Sequence, residues 1–501
     1  MSCRPFQLFS IGVLIFASSF TVSVYDRGGV LHSCQMQVYD SHGLTDDFIR
    51  VVRLLSFDAG EIDLGRDPTV TAVGATKSEE YPRYNIKQSS PLPHIPSPQR
   101  TTIGRPIWTS HSLLGRGTSV WRVHSHNAPQ DEQIMKTAWR HEDCDGEAEV
   151  YSYLDECKIT GSPGIAAFRS GQDISFVPAG SLREVVLSVN SLRPREARLP
   201  KDIILHRVVL TSIGKPLWEY DTPAQFIRAL LAIVQGIRTL EQHDILHRDI
   251  SAGNVLLATN SRPGYEAFLT DFEFAKIPSR PKPTAIPTSR WHITHMVNER
   301  KVHNQSVIEH ISWSNGISHA SGPEMTGTLQ FMAIDMLDNC TTYTHGVGCP
   351  PTYEPVKRAV RHELESLVWV AEYALFRKAH QAVAHLSSSH ADRKEVETAF
   401  AEEFGCNVPS RLVKQRRQTA ILPRAPHGPQ QKITPYLDEP LRQLIPALMG
   451  IVKSQNDHQD LDSGQFWSAE RVEYEQRAPM PMTCDSLEGV LRKYASVMRI
   501  F

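Results

Sequence analysis

The chain has 501 residues, 41% of them hydrophobic and 22% charged, with 53 Lys and Arg against 55 Asp and Glu. This is an ordinary globular composition with core material for two or three domains, and its near-neutral charge gives no footprint for nucleic acid or a membrane surface. Eight cysteines without a C-x-x-C pair argue against a disulfide scaffold or zinc ribbon, and for reduced, mostly buried thiols.

The apolar stretch from Phe6 to Phe20, preceded by Arg4, has the look of a signal-peptide core. Thr21 to Tyr25 continues it with strand-like alternation, and Asp26-Arg27-Gly28-Gly29 reads as a hairpin turn into Val30-Leu31, so a buried hairpin is expected instead of export. Elsewhere no run reaches the roughly 18 apolar residues that a membrane span needs. Asp47 to Leu55 reads as a short amphipathic helix capped by Thr45 or Asp46, which completes a small α/β layer over residues 1 to about 75. From Lys77 to Arg105 the chain turns to Ser, Pro and Tyr, with Pro91, Pro93, Pro96 and Pro98 close together, as in an extended linker or covering strand.

Leu113 to Trp121 holds a glycine loop in which Gly115 and Gly117 let backbone N–H groups approach phosphate oxygens. Val120 stands where a third glycine is usual in such loops. Glu132 to Lys136 follows as a short strand whose terminal lysine can reach the α- and β-phosphates of a nucleotide. Glu147 and Glu149 are the carboxylates placed to hold it, and Glu147 is preferred because it shares a helical face with Tyr151 and Leu154. His206 to Gly214 is a β-branched run ending in glycine, expected as a last strand and hinge beside adenine. Asp221-Thr222-Pro223 then opens a helix, with Phe226, Leu230, Ile233, Val234, Ile237 and Leu240 on its buried face.

That helix leads to Ile245-Leu246-His247-Arg248-Asp249-Ile250-Ser251-Ala252-Gly253-Asn254, and then to Leu269-Thr270-Asp271-Phe272-Glu273. The first stretch fits H-R-D-x-x-x-x-N, with Asp249 as general base towards an attacking hydroxyl. Asn254 and Asp271 supply the amide and carboxylate oxygens that Mg²⁺ takes while it bridges phosphate oxygens. Ile277 to Met325 is long, weakly periodic and rich in Pro, Ser, Thr and His, with Thr326, Thr328 and several serines as acceptors for phosphorylation and Arg248 as their pairing charge. Glu363 to Val370 begins a second buried helix, with Val360, Leu364, Leu367, Ala371 and Ala374 on one stripe, and helical fragments at Leu441 to Val452 and Leu487 to Met498 follow.

Together these residues resemble a eukaryotic-type protein kinase and, more narrowly, the fungal-type protein kinase family. The narrower likeness rests on Gly115-Arg116-Gly117-Thr118 with Trp121, Leu246 to Ser251 with Asn254, Gly327-Thr328-x-x-Phe331-Met332, and Arg361 to Leu367. Tyr25 to Gly29 and Leu64 to Thr69 look like that family's upstream region, so the resemblance runs from near residue 4 to about 380. The chain is expected to begin inside the family's N-terminal extension, which makes the apolar start a truncated one.

The resemblance implies an α+β, two-lobed fold: an N-terminal α/β extension over 1–90, a small β-rich N-lobe over 100–215, and a large helical C-lobe over 216–501 with a long activation segment at about 274–327. It implies ATP and Mg²⁺ as cofactors, a protein serine or threonine as acceptor, and a cytoplasmic or nuclear location. Four positions depart from the pattern. Ser251 replaces a lysine that touches the γ-phosphate, Glu273 replaces the glycine of D-F-G, Asp335 replaces the A-P-E glutamate, and Glu363 replaces an aspartate that anchors the catalytic loop. The alternatives are a pseudokinase or interaction module, supported by the incomplete glycine loop and Ser251, and a small-molecule phosphotransferase, suggested by D-F-E.

Overall fold

A computed structural model describes residues 5–73, 81–87, 99–110, 115–178, 180–181, 183–278, 309–311, 328–344, 356–406, 408–421, 428–456 and 482–497. The chain is mixed α+β and forms two units, one drawn from Met1–Glu149, Arg169–Thr211 and Ser289–Ser318, the other from Val150–Phe168, Ser212–Thr288 and His319–Phe501. The first is rich in strands and the second in helices. The proline cluster of the expected linker and most of the expected activation segment lie outside the described residues.

The first unit opens with a hairpin of β1 (Ser10–Phe16) and β2 (Ser19–Asp26), and β3 (Gly29–His32) pairs with β2 across the turn read from Asp26-Arg27-Gly28-Gly29. The expected buried hairpin is buried only in part. Phe20 is 1% exposed, but Leu14, Ile15 and Phe16 are 68%, 54% and 79% exposed. These exposed residues lie on β1, the edge strand of the sheet, whereas β2 is paired on its other side by β3 at Ser23–Asp26 and by Met36–Gln37 at Ser19–Phe20. Next, α1 (Asp46–Arg53) starts at Thr45, whose hydroxyl accepts the Phe48 N–H at 3.4 Å. Asp46 and Asp47 in its first turn and Arg50 and Arg53 in its last complement the helix dipole.

A second sheet is built from β4 (Val70–Val73), β5 (Arg83–Lys87), β6 (Gln99–Thr102), β7 (Ser119–Ser125), β8 (Ala128–His141), β9 (Phe168–Asp173) and β10 (Ile203–Leu210), in the order β9-β10-β8-β7-β6-β5-β4. Val70, Tyr84, Ile86, Trp121, Val123, Met135 and Val209 form one apolar cluster on it, with Phe6 packed against them. Residues on both sides of the expected boundary near 90–100 therefore share one sheet and one core. The β8 strand runs on past Lys136, where the sequence suggests a stop, because Ala138 and Trp139 are buried and β10 pairs with it as far as His141.

In the second unit, α3 (Pro223–Glu241) begins at Thr222 with proline in its first turn, and the six apolar residues expected on its inner face are buried. A small sheet carries β11 (Gly214–Pro216), β12 (Val255–Ala258) and β13 (Ala267–Leu269), with Gly164–Ile165 alongside β13. Further helices are α4 (Ile334–Thr344), α5 (Val360–Val383), α6 (Ala391–Phe404), α7 (Pro409–Ile421), α8 (Glu439–Asn456) and α9 (Cys484–Val497). Instead of a single buried stripe, α5 is buried on every side from His362 to Glu372, because α3, α6 and α8 all pack on it. Among the described residues six cysteines are unbridged, of which only Cys340 and Cys484 are buried. No described helix is long and apolar enough to cross a membrane.

Candidate active site

In the first unit, Lys136 sits at the middle of β8, opposite Val120 on one neighbour and Val208 on the other. Its Nζ donates to Glu147 Oε2 at 2.8 Å, and the two side chains are 11% and 4% exposed. A pair so shielded is held much more firmly than a surface one, provided hydrogen bonds fix its geometry. That geometry comes from a relay which sequence reasoning missed. Glu147 opens α2 (Glu147–Glu156), and the next N–H, that of Ala148, donates to His206 Nε2 at 3.1 Å. His206 Nδ1 then donates to Asp173 Oδ1 at 2.8 Å, and Arg140 Nε donates to the same oxygen at 2.9 Å. Burial pushes the Asp173 carboxyl up, but the bonds from His206 and Arg140 outweigh it and hold the group down at about 2. The helix start that carries Glu147 is thus tied through His206, Asp173 and Arg140 to three strands of the sheet, β10, β9 and β8. Gly115 and Gly117 both have positive φ, 86° and 51°, in the loop before β7.

In the second unit, β12 and β13 form an antiparallel pair that places two polar loops side by side, with Val255 opposite Leu269. The Thr270 N–H donates to Asn254 O at 3.0 Å, and Leu246 and Lys276 exchange backbone bonds at 2.9 and 3.3 Å. Within this frame His247 Nε2 donates to Thr270 O at 3.0 Å and Nδ1 accepts the Asp249 N–H at 3.3 Å, which fixes the neutral tautomer. Phe272, fully buried, packs on His247 at 4.6 Å and on Tyr151 at 5.2 Å.

Asp249 is held at both carboxylate oxygens. Its Oδ1 accepts from the Thr328 N–H at 2.9 Å and from the Thr328 hydroxyl at 3.0 Å. Asn254 Nδ2 donates to Asp249 Oδ2 at 3.1 Å and to its carbonyl at 2.9 Å. Asp271 lies one residue beyond Thr270 in left-handed backbone, φ 65°. Arg248, also left-handed at φ 71°, has its N–H held by both oxygens of Glu363 at 3.2 and 3.0 Å. Such conformations cost about 1–3 kcal/mol each and persist where surrounding bonds fix them. Carboxylate and carboxamide oxygens are the hard donors that Mg²⁺ takes, so Asn254 and Asp271 fit that ion.

The departures from the kinase pattern have local explanations. Glu363 holds the Arg248 N–H from the position the kinase pattern gives to an aspartate, and its carboxylate also accepts from Arg358 Nε at 3.0 Å. The left-handed residue of the Asp271–Phe274 turn is Asp271, not Glu273, so a side chain at 273 costs no backbone strain. Asp335 pairs with Arg361 at 2.6 Å and faces His362 at 3.5 Å. Burial pushes Asp335 up, yet these neighbours bring it below the usual carboxylate range. Ser251 is buried, and its carbonyl accepts the Asn254 and Val255 N–H groups, closing the turn between Asp249 and β12. The hydroxyl of Thr328, one of the expected phosphate acceptors, donates to Asp249 Oδ1. Thr326 and Gly327 lie outside the described residues.

The family model of the fungal protein kinase matches residues 1–375. No curated protein matches the chain.

Proposed function

Because the chain belongs to the fungal protein kinase family, we propose that it is an active enzyme that transfers the γ-phosphoryl group of ATP to a serine or threonine hydroxyl of a protein. The observation that carries this reading is the carboxylate of Asp249, fixed by Thr328 and Asn254 in a loop whose strained Arg248 is held by Glu363. Such over-determined placement is what a general base needs, since positioning and electrostatics supply most of phosphoryl-transfer catalysis. Asp249 orients the attacking hydroxyl and accepts its proton. Asn254 and Asp271 hold Mg²⁺, which when bound neutralises charge on the phosphate oxygens. Lys136, kept in place by Glu147, takes the α- and β-phosphates, and the main chain at Gly115 and Gly117 covers them. Serine or threonine as acceptor, and a cytoplasmic or nuclear setting, follow from the family likeness.

A second reading, a pseudokinase that uses nucleotide as a structural ligand, is favoured by Ser251, a neutral residue where a cation meets the γ-phosphate in the kinase pattern. The two separate in one experiment. Transfer of labelled γ-phosphate from Mg·ATP is measured with the wild-type chain and with Asp249→Asn, to the chain itself and to a generic basic protein. Label on serine or threonine with wild type alone supports the kinase. Thermal stabilisation by Mg·ATP without any label supports the second reading.

A further inference from the structure

The turn between β2 and β3 is fixed at one end by a buried ion pair. Asp26 accepts from Arg193 Nε at 2.7 Å and Nη2 at 2.6 Å, with side chains 2% and 1% exposed. Asp26 Oδ1 also accepts the Gly28 N–H at 2.8 Å, and a Cβ on Gly28 would lie 2.7 Å from Leu199 Cδ1, so the turn is pressed onto the 189–199 segment. Arg27 leaves this turn towards the glycine loop. Its guanidinium lies against Gly117, where a Cβ would come within 2.1 Å of Cζ and 2.3 Å of Nη2. The neighbouring glycine differs, since a Cβ on Gly115 would meet nothing within 4 Å. Gly115 is needed for its backbone shape alone. Gly117 must also leave space for Arg27.

The side from which Arg27 approaches follows from strand register. Across β7 and β8, Val120 faces Lys136 while Ser119 faces Thr137. Arg27 and Gly117 share a cavity of about 60 Å³ with Ser119, Trp121, Thr137 and Trp139. Alternation puts those side chains on the sheet face opposite Lys136.

We infer that Arg27 is a positioning residue for the glycine loop: carried on a turn fixed by Asp26–Arg193, it backs Gly117 from the face away from Lys136 and sets the main chain that covers the nucleotide phosphates. That this loop takes a nucleotide rests on the function proposed above. Glycine carries the largest backbone entropy of any residue, so an unbraced loop with two glycines must be ordered at the moment of binding, and affinity falls accordingly.

The test is a double-mutant cycle on the full chain with Mg·ATP as probe. Arg27→Ala is expected to weaken Mg·ATP binding about tenfold while turnover at saturating ATP stays within about twofold. Gly117→Ala is expected to weaken binding at least as much in the wild-type background, and by a smaller factor in the Arg27→Ala background, where the Cβ has room and only the strain of the positive φ remains. Arg27→Lys replaces Arg27→Ala in the cycle if the alanine variant does not fold, since it keeps the stem and the charge and removes the flat guanidinium. Unchanged affinity on altering Arg27, or an equal cost of Gly117→Ala in both backgrounds, overturns the inference. Amide hydrogen exchange at residues 115–118 without nucleotide decides it separately from the kinase reading. Faster exchange on altering Arg27 supports the brace and equal exchange overturns it, even if the wild-type chain binds no Mg·ATP.

Discussion

Replacing Glu363 by alanine tests the anchoring of the proposed catalytic loop most directly. Glu363 and Arg358 are each 2% exposed, and the Glu363 carboxylate accepts from Arg358 Nε at 3.0 Å and from the Arg248 N–H through both oxygens. Taking away one partner of a buried pair costs about 3–5 kcal/mol, because the charge that remains keeps its desolvation penalty. The left-handed backbone at Arg248 loses its support as well, which stores about 1–3 kcal/mol in a native state with less to hold it. A loss near 4 kcal/mol is therefore expected. Denaturant melts followed by the fluorescence of Trp369, on the same helix, read it. Glu363→Gln keeps an acceptor for Arg248 and is expected to lose about half as much. Arg358→Met added to Glu363→Ala is expected to recover part of the loss, since the double variant buries no uncompensated charge. If Glu363→Ala costs less than about 1 kcal/mol, or Arg358→Met adds its full cost on top, the anchoring account is refuted. Under conditions where Glu363→Ala remains folded, turnover is expected to fall more than nucleotide affinity, because Asp249 follows Arg248 directly.

Thr328→Val removes one of the two bonds to Asp249 Oδ1 and keeps the N–H. It is expected to lower turnover about tenfold with little change in ATP affinity, and an unchanged turnover in steady-state kinetics would count against Thr328 as the residue that orients the base. His206→Leu breaks the bond to the Ala148 N–H and is expected to cost about 1–3 kcal/mol in a melt and to weaken Mg·ATP binding through Glu147, whereas wild-type affinity would disconnect His206 from the site. The pH dependence of stability carries a buried signature at Glu365, which burial pushes up from 4.5 to about 7. A carboxyl raised in the folded state contributes its full stability below about 4.5 and loses it as pH rises to about 7, a fall of up to about 3 kcal/mol from this one group. Glu365→Gln is expected to flatten that fall, because it still accepts from the Ile334 N–H and the Gln455 amide can turn to meet it. Parallel slopes for the two proteins across that range would assign the pH effect elsewhere.

The candidate site residues are legible in the sequence because their motifs are local. Asp249 and Asn254 share one loop, Asp271 follows a short apolar run, and Thr222-Pro223 marks a helix start by the same rules anywhere in a chain. Glu147 is separable from Glu149 for a similar reason, since helical periodicity puts Glu147 on the face of Tyr151 and Leu154, and in the structure it is Glu147 that pairs with Lys136. Sequence spacing also places the turn at Asp26 to Gly29, where glycine tolerates the backbone required. What the sequence does not carry is any partner far away along the chain. The bond from Ala148 to His206, the pair of Asp26 with Arg193 and the hold of Thr328 on Asp249 join residues 58, 167 and 79 positions apart. No periodicity spans such separations, and a lone histidine or arginine reads as a solvated side chain until the strands that bring it inward are known. The same holds for α5, whose pattern suggests one buried stripe and which tertiary packing covers on every side. Local propensity and loop chemistry thus determined which groups can act, and long-range burial decided which of them are held still.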